Sequence, residues 1–363
     1  MSKNLEVVPL TKKMLREGVE KNTFWKENLE PMAKSKARWL LGNTRIREED
    51  YCGVIGYEDN KMISFIFMFP DFLNTKNTKK IYWMIAWWVD KQYKDTVLST
   101  YIYNEAVNLA GKQVIIKSYT ENVAAFYKKQ PFNVIASRLR YTIFFSLDSS
   151  MLIGKFGFLK SFKFLIDSFD SVFGAGIRLL NKSRLKRRTK SLTYDYINQL
   201  DDDTWEFIEP LCKNDLIYKT REYVNWQINA QQYVQIPVGA NYPFTSLQTG
   251  TSRNIYIHSL KIIKEHKIIG FLSYIINHNE FNVKYFLVKE DQYYDVCVDV
   301  VMQHCIKAKR NFIFTDDTKL SNSITERYTT IYVHKTNKKG LAHIEIKEDF
   351  DNLTLENRDG HFY

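Results

Sequence analysis

The sequence predicts an α+β protein of two similarly built domains, each a mixed, mostly antiparallel sheet flanked by helices. Three observations predict it. Short apolar runs of strand length are bounded by turn residues. Helical periodicity stands before and between them. The order of elements over residues 1–148 then recurs over 193–347, in element order rather than in residues. A chain of 363 residues is long enough for two cores, and 45% apolar with 26% charged residues is a globular balance that excludes disorder.

Each element follows from its local pattern. Residues 11–20 and 23–41 read as helix, with Pro31 marking a break. Residues 51–57 and 62–69 read as strands joined by the turn Glu58-Asp59-Asn60, hence a hairpin. Residues 81–89 are almost wholly apolar, as in a strand buried on both faces. A helix over 96–110, a strand over 114–119, a short helix over 121–129 and a strand over 134–145 complete the first domain. In the second domain, helices over 203–211 and 221–229 lead into strands over 255–264, 267–276 and 282–289. A helix over 293–309, a strand over 311–315, a short helix from Ser321 and a strand over 341–346 follow, and residues 348–363 are left as a tail.

Residues 149–192 read as an amphipathic basic connecting helix. Phe158, Phe162, Leu165, Phe169, Val172 and Leu179 fall on one helical face, Gly174 and Gly176 weaken the helix, and the basic run 182–190 follows. Of the net charge of +11, most sits here: residues 151–190 hold ten basic side chains and two acidic ones. Two readings stay open. The apolar face packs between domains or against a second subunit, or it lies on an anionic membrane surface as a peripheral contact at the inner face. The basic run has no interleaved aromatics to stack on bases, so no nucleic-acid partner is expected.

Cys52, Cys212, Cys297 and Cys305 are dispersed, with no ligand spacing for a metal, and read as reduced thiols of a cytoplasmic protein. No apolar run reaches the length that crosses a bilayer, and the start lacks the pattern of a secretion signal. None of the seven histidines, which lie between His258 and His361, has metal spacing; His258 or His278 could face an acceptor.

The chemistry concentrates in residues 81–133. A buried strand that ends in a turn and feeds a helix presents unpaired backbone N–H groups to an anion, and those of Lys94, Asp95, Thr96, Val97, Leu98 and Ser99 could hold a pyrophosphate. Further on, Asn122 opens a short helix that carries Phe126 and Tyr127.

Here the sequence resembles the GNAT superfamily of N-acetyltransferases, over most of residues 1–145. Val89, Tyr93 and Lys94 match the valine, tyrosine and arginine positions of that family's Val-x-x-x-Tyr-Arg-Gly-x-Gly-x-Gly/Ala signature. Asp95, Val97 and Ser99 stand where the family has small residues, mostly glycine. Phe126, Tyr127, Lys129 and Phe132 keep the spacing of the later Asn-x-x-Ala-x-x-Phe-Tyr signature, while Asn122 and Ala125 stand two residues too close to Phe126. The resemblance implies two tandem GNAT-like domains and an acyl-CoA substrate, acetyl-CoA in the family pattern or another acyl-CoA, with no metal. It implies pantetheine pairing along Trp87, Trp88 and Val89, Asn122 at the CoA, and Tyr127 as the acid that protonates the leaving thiolate.

The family often places a glutamate base on the strand at 81–89, and this strand has no carboxylate; Asp71 and Glu58 remain candidates that spacing does not choose between. The second half is degenerate in the same terms, with Glu290, Asp291 and Asp295 around its phosphate turn and Asn322 and Tyr328 in the later places. The stretch 220–229 resembles a segment of tandem acyltransferase-like proteins of surface-polysaccharide clusters. The expected activity is acyl transfer from CoA to an amine, with an amino sugar of a glycan precursor as preferred acceptor. A non-catalytic scaffold and an aminoacyl-tRNA-dependent transferase of the peptidoglycan-bridge type are the alternatives.

Overall fold

Thr11 closes strand β1 (Leu5–Thr11) and opens helix α1 (Lys12–Lys21): its hydroxyl accepts the Met14 N–H at 3.2 Å, as an N-cap does. The computed structural model describes residues 4–24, 29–94, 96–147, 153, 156–233, 245–246 and 255–361. Strand β2 (Leu29–Glu30) and helix α2 (Lys34–Leu41) come next, so among the described residues the helical pattern over 23–41 gives its helix beyond Pro31, where proline no longer interrupts the hydrogen bonds. Strands β3 (Tyr51–Glu58) and β4 (Lys61–Phe72) form the expected hairpin, with Asp59 and Asn60 both at positive φ, the geometry of a two-residue turn. Strand β5 (Lys80–Val89), helix α3 (Val97–Leu109), strand β6 (Val114–Ile116), the single-turn helix α4 (Ala124–Tyr127) and strand β7 (Phe132–Phe144) follow.

Then come α5 (Lys163–Arg188), β8 (Thr193–Ile197), α6 (Asp202–Ile208), α7 (Arg221–Ile228), β9 (Thr245–Ser246), β10 (Tyr256–Lys264), β11 (Lys267–Asn277) and β12 (Glu280–Val288). Helix α8 (Tyr294–Lys307), β13 (Phe312–Thr315), α9 (Thr318–Arg327) and β14 (Tyr332–His343) end the series.

The chain forms two compact units. The first comprises residues 1–137, 212–253 and 338–363, and the second 138–211 and 254–337. These differ from the boundaries read along the sequence, for a reason of strand pairing. In the first unit β6 pairs antiparallel with the end of β14, through Ile116 to Leu341 and Ile115 to Ala342. In the second, β13 pairs antiparallel with the end of β7, from Thr315–Tyr141 to Phe312–Phe144. Each unit therefore takes its sixth strand from the far side of the sequence. The first has the order β1-β3-β4-β5-β6-β14 and the second β7-β13-β12-β11-β10-β8.

Both faces of the first unit's sheet are covered, which explains why β4 is buried from Met62 to Asp71. On one face Val54, Ile66, Met68, Tyr82 and Met84 pack against Ile102, Tyr103 and Ala106 of α3. On the other, Phe65, Phe67, Phe69 and Trp83 pack against Trp39 of α2, Tyr223 and Trp226 of α7, and Leu355. The segment 220–229, placed in the second domain by its position in the sequence, thus belongs to the first unit. Trp39 and Trp226 stack at 4.0 Å, and each indole N–H donates to the other's backbone carbonyl at 2.7 and 2.8 Å.

The tail is core as well. Lys219, only 2% exposed at its side chain, pairs with Asp359 at 2.6 Å, while Arg358 grips Asp215 through two hydrogen bonds. Gly360 lies over Trp83 at positive φ, and a Cβ there would come within 2.8 Å of the indole. In the second unit α5 and α8 share one core with the sheet, through Ile177, Leu185, Val298 and Val301 against Leu260 and Ile313. Neither Gly174 nor Gly176 interrupts α5, and the basic run extends the helix to Arg188. At Gly174 a Cβ would stand 3.2 Å from Ser146, so the glycine permits close packing.

Replacing Trp226 by Ala removes the stack and the indole donor to the Trp39 carbonyl, while the Trp39 indole N–H keeps the backbone carbonyl of residue 226. We expect a loss of about 3 kcal/mol in urea unfolding, against less than about 1 kcal/mol for the exposed Lys21→Ala.

Candidate functional site

Strand β5 holds two different environments. Ile81–Met84 are buried, whereas residues 85–89 are half-buried or exposed. The cause is the short reach of β6, which pairs in parallel with β5 only at Tyr82–Val114 and Trp83–Ile115. Past Trp83 the edge of β5 that faced β6 has no strand partner among the described residues, while its other edge stays on β4, with Trp88 opposite Phe65 and Val89 opposite Ser64. Three residues of β4, Phe65 to Phe67, face four of β5, Ile85 to Trp88, so one extra residue is inserted. That bulge holds Ala86 at φ 51°, a strained conformation for a residue with a Cβ. Of residues 87–89, those whose carbonyl and N–H groups point away from β4 face this open edge, where an added strand or an amide-bearing chain could pair with them.

The gap between the strands is lined with rings. Trp87 lies 5.3 Å from Tyr103 and 5.2 Å from Phe126, and Tyr127 contacts Tyr119 at 5.2 Å and Phe132 at 6.3 Å. Two polar atoms in this cluster are buried without a hydrogen bond: the Trp87 indole N–H and the Tyr103 hydroxyl. Tyr103 is 1% exposed, so its hydroxyl has lost water and gained nothing in return. Burial pushes the Tyr127 phenol up to about 12, so it keeps its proton across the physiological range. Its hydroxyl has no hydrogen-bond partner among the described residues.

At the mouth of the gap stands the N-terminus of α3. Thr96 is its N-cap residue but gives no side-chain cap, because its hydroxyl donates to the Tyr93 carbonyl at 2.6 Å. The Ser99 hydroxyl donates to the Thr96 carbonyl at 2.8 Å, and no acid occupies the first turn. The backbone N–H groups of Val97, Leu98 and Ser99 are thus left to the dipole end of a 13-residue helix. Val97, where the family has a small residue, is 86% exposed and packs into no core. Lys94 is exposed beside the turn; Asp95 lies outside the described residues. Asn122 sits in the 3-10 turn Glu121–Val123 that leads into α4, and its side chain is outside what is described.

The corresponding helix of the second unit is closed. Arg327 of α9 bonds Asp295 at 2.7 Å and Asp299 at 2.7 Å, Lys319 bonds Asp291 at 2.8 Å, and Lys267 bonds Glu290. Carboxylates and their cations occupy the place where the first unit leaves bare N–H groups, so an anion finds no donor there. Tyr328 spends its hydroxyl on Asp299.

Asp71 is a structural carboxylate. It is fully buried and accepts from Arg45 at 3.0 Å, Trp83 at 3.0 Å, Tyr223 at 2.5 Å and the Phe72 N–H. It lies opposite Ile81, at the other end of β5 from the bulge. Glu58 lies opposite Lys61 at the hairpin end of the strands, and His258 and His278 belong to the second unit. The histidine that comes nearest the first unit's sheet centre is His361. The tail lays its ring against Phe67 at 6.5 Å and Phe69 at 6.1 Å, and Phe67 pairs with Ile85 at the edge of the bulge. No local signal marks it in the sequence.

His343 packs on Phe132 at 5.2 Å, and burial lowers its pKa. Its Nδ1 accepts the Glu345 N–H, which leaves the proton on Nε2 and no lone pair for a base. This residue also lines a cavity of about 490 Å³ with Asn133, Ile346, Glu348, Asp349 and Asp351.

No family model matches the chain, and no curated protein matches it in sequence. Solved structures do. Saccharomyces cerevisiae N-myristoyltransferase with bound myristoyl-CoA aligns over 98% of this chain and 90% of its own, with a TM-score of 0.54 and 12% identity. The same enzyme with myristoyl-CoA and inhibitors aligns over 94% and 81%, at 0.51 and 12%. A GCN5-related N-acetyltransferase from Anabaena variabilis aligns over 93% and 72%, at 0.49 and 7%. The chain has the GNAT fold.

Tyr103→Phe deletes an unsatisfied buried hydroxyl while keeping the ring. The free protein should gain about 1 kcal/mol in urea unfolding rather than lose stability.

Proposed function

We propose that this GNAT-fold chain transfers an acyl group from acyl-CoA to an amine, using the first unit. The observation that carries the reading is the unpaired edge of β5 beside the uncapped start of α3, with the Trp87 N–H and Tyr103 hydroxyl left orphaned in the gap between. A pantetheine arm is a chain of two amides ending in a thioester, and it supplies the carbonyls and N–H groups that such an edge and two such orphans lack. Its pyrophosphate suits bare helix-terminal N–H groups with Lys94 nearby. That solved N-myristoyltransferases of this fold hold myristoyl-CoA supports acyl-CoA as the donor class.

The chemistry then divides among residues of this unit. The amine loses a proton to the His361 imidazole, and its nitrogen attacks the thioester carbonyl to form the C–N bond. The C–S bond breaks as Tyr127 donates a hydrogen bond, and then its proton, to the departing sulfur, with solvent restoring the phenol. A phenol at about 12 is a weaker acid than a thiol at about 8.5, so its aid goes mostly to the growing charge on sulfur. The carboxylates Glu348, Asp349 and Asp351 around the nearby cavity would draw a cationic amine and repel a diphosphate. Among amino-sugar acceptors this favours a free or lipid-distal amine over a nucleotide-linked one.

The second reading is a binding protein without transfer chemistry. It is favoured by the Trp87 and Phe126 rings, which stand 5.2 Å apart within the gap. Isothermal titration with acetyl-CoA and longer acyl-CoAs separates the two: saturable binding is expected, and none at millimolar ligand would overturn the acyl-CoA reading, as would capture of aminoacyl-tRNA instead.

With turnover established, Tyr127→Phe should lower kcat by about 10- to 100-fold at unchanged acyl-CoA affinity. His361→Gln should lower kcat by at least about 10-fold at unchanged acyl-CoA affinity; an unchanged kcat would assign the base elsewhere.

A further inference from the structure

Helix α5 has two apolar faces and the described residues cover one of them. Gly174, Ile177, Asn181 and Leu185 are buried, and the Asn181 side chain is fixed to the Thr329 backbone through two hydrogen bonds at 2.9 and 3.0 Å. The opposite stripe, running on from the 3-10 turn Gly157–Phe162, carries Phe158, Phe162, Leu165, Phe169, Val172 and Leu179, each between 55% and 75% exposed. Their spacing of three and four residues makes a straight seam roughly 30 Å long. Seams of this size are rarely left to water.

Charge decides what covers it. Lys160 and Lys163 flank one end and Lys182, Arg184 and Lys190 the other, all exposed. The segment 156–190 has two acids: Asp167 pairs with Lys163 at 2.5 Å, and Asp170 is buried and accepts the Leu147 N–H at 2.7 Å. A second copy of the helix, in either direction, would therefore set cations against cations with no carboxylate to answer them. An anionic bilayer answers both features, apolar side chains entering the acyl boundary while lysine and arginine meet phosphates. No described helix is long and apolar enough to cross a membrane, so α5 would lie in the interface.

We propose that the exposed face of α5 docks this protein on anionic lipid bilayers. The proposal is independent of the acyl-transfer reading. The test is co-flotation of the full chain with vesicles of phosphatidylcholine alone or with about one third phosphatidylglycerol. Flotation with the anionic vesicles is expected, weakened by salt, with each lost basic side chain worth roughly fivefold in partitioning. The double variant Phe162→Ser/Phe169→Ser should partition at least about tenfold less, with its circular dichroism melt unchanged because both side chains are exposed. Lys160→Gln/Lys182→Gln should lose partitioning without altering the apolar seam. Absence of flotation, equal binding to neutral vesicles, or binding untouched by the phenylalanine variant overturns the proposal. So does a dimer in lipid-free sedimentation that the phenylalanine variant dissociates while no vesicle is bound, which would give the face to a second copy.

Discussion

The buried carboxylate of Asp71 is the constraint on which the first unit depends. It draws the Arg45 guanidinium, the Trp83 indole and the Tyr223 phenol to one point, and so ties β4, β5, α7 and the loop after α2 together at the closed end of the sheet. Burial pushes its pKa up against the pull of Arg45, which is the signature of a charge kept out of water for geometry. With Trp83 held there, β5 is fixed where β6 last pairs with it, and beyond that point it stays in the sheet on β4 alone. The open edge, the bulge at Ala86 and the approach to α3 belong to a strand that has two neighbours at one end and only β4 at the other.

The two units share a plan and differ in what their first exposed helix turn offers. In the first, hydroxyls that could cap α3 are turned onto the carbonyls of Tyr93 and Thr96, so its N–H groups stay unclaimed. In the second, Asp295 and Asp299 are bound to Arg327, and the turn before α8 is acidic. Duplication of the architecture has therefore left one helix terminus suited to an anion and one sealed by ion pairs. The asymmetry is electrostatic, and it lies in a handful of side chains rather than in the strands.

How much of this was legible in the sequence depended on distance along the chain. Residues 81–99 could be read well, because an apolar strand, a turn and a helix start declare themselves within one window. The hairpin at Asp59-Asn60 was legible for the same reason. The strand exchange was not: β7 and β14 are both long strands, and nothing local says which sheet each will finish. Trp226 and His361 were out of reach too. The first becomes core through a partner 187 residues away, and the second is delivered by a polar, acidic segment that resembles a solvated tail until Lys219 and Lys117 claim it across 140 and 242 residues. The bulge left no mark because alanine, rather than glycine or asparagine, takes the positive φ at residue 86. For α5 the spacing disclosed the apolar stripe, but only the structure separates the packed face from the exposed one.

The orphaned atoms at Trp87 and Tyr103 bear on why the gap persists. Each buried, unpaired polar group costs about 1–3 kcal/mol, a large share of the 5–15 kcal/mol that holds a domain folded. A phenylalanine at residue 103 would fill the same space without that cost, so the hydroxyl is dear for a protein that only needs a core. A ligand that hydrogen-bonds both groups recovers the penalty on binding, and the recovered energy appears as affinity and as ligand-dependent stability at once. The rings of Trp87 and Phe126 pack 5.2 Å apart beside these buried atoms, and in such apolar surroundings a hydrogen bond made to them is stronger than in water. On the acyl-CoA reading, an amide-bearing guest along β5 is what would satisfy both groups.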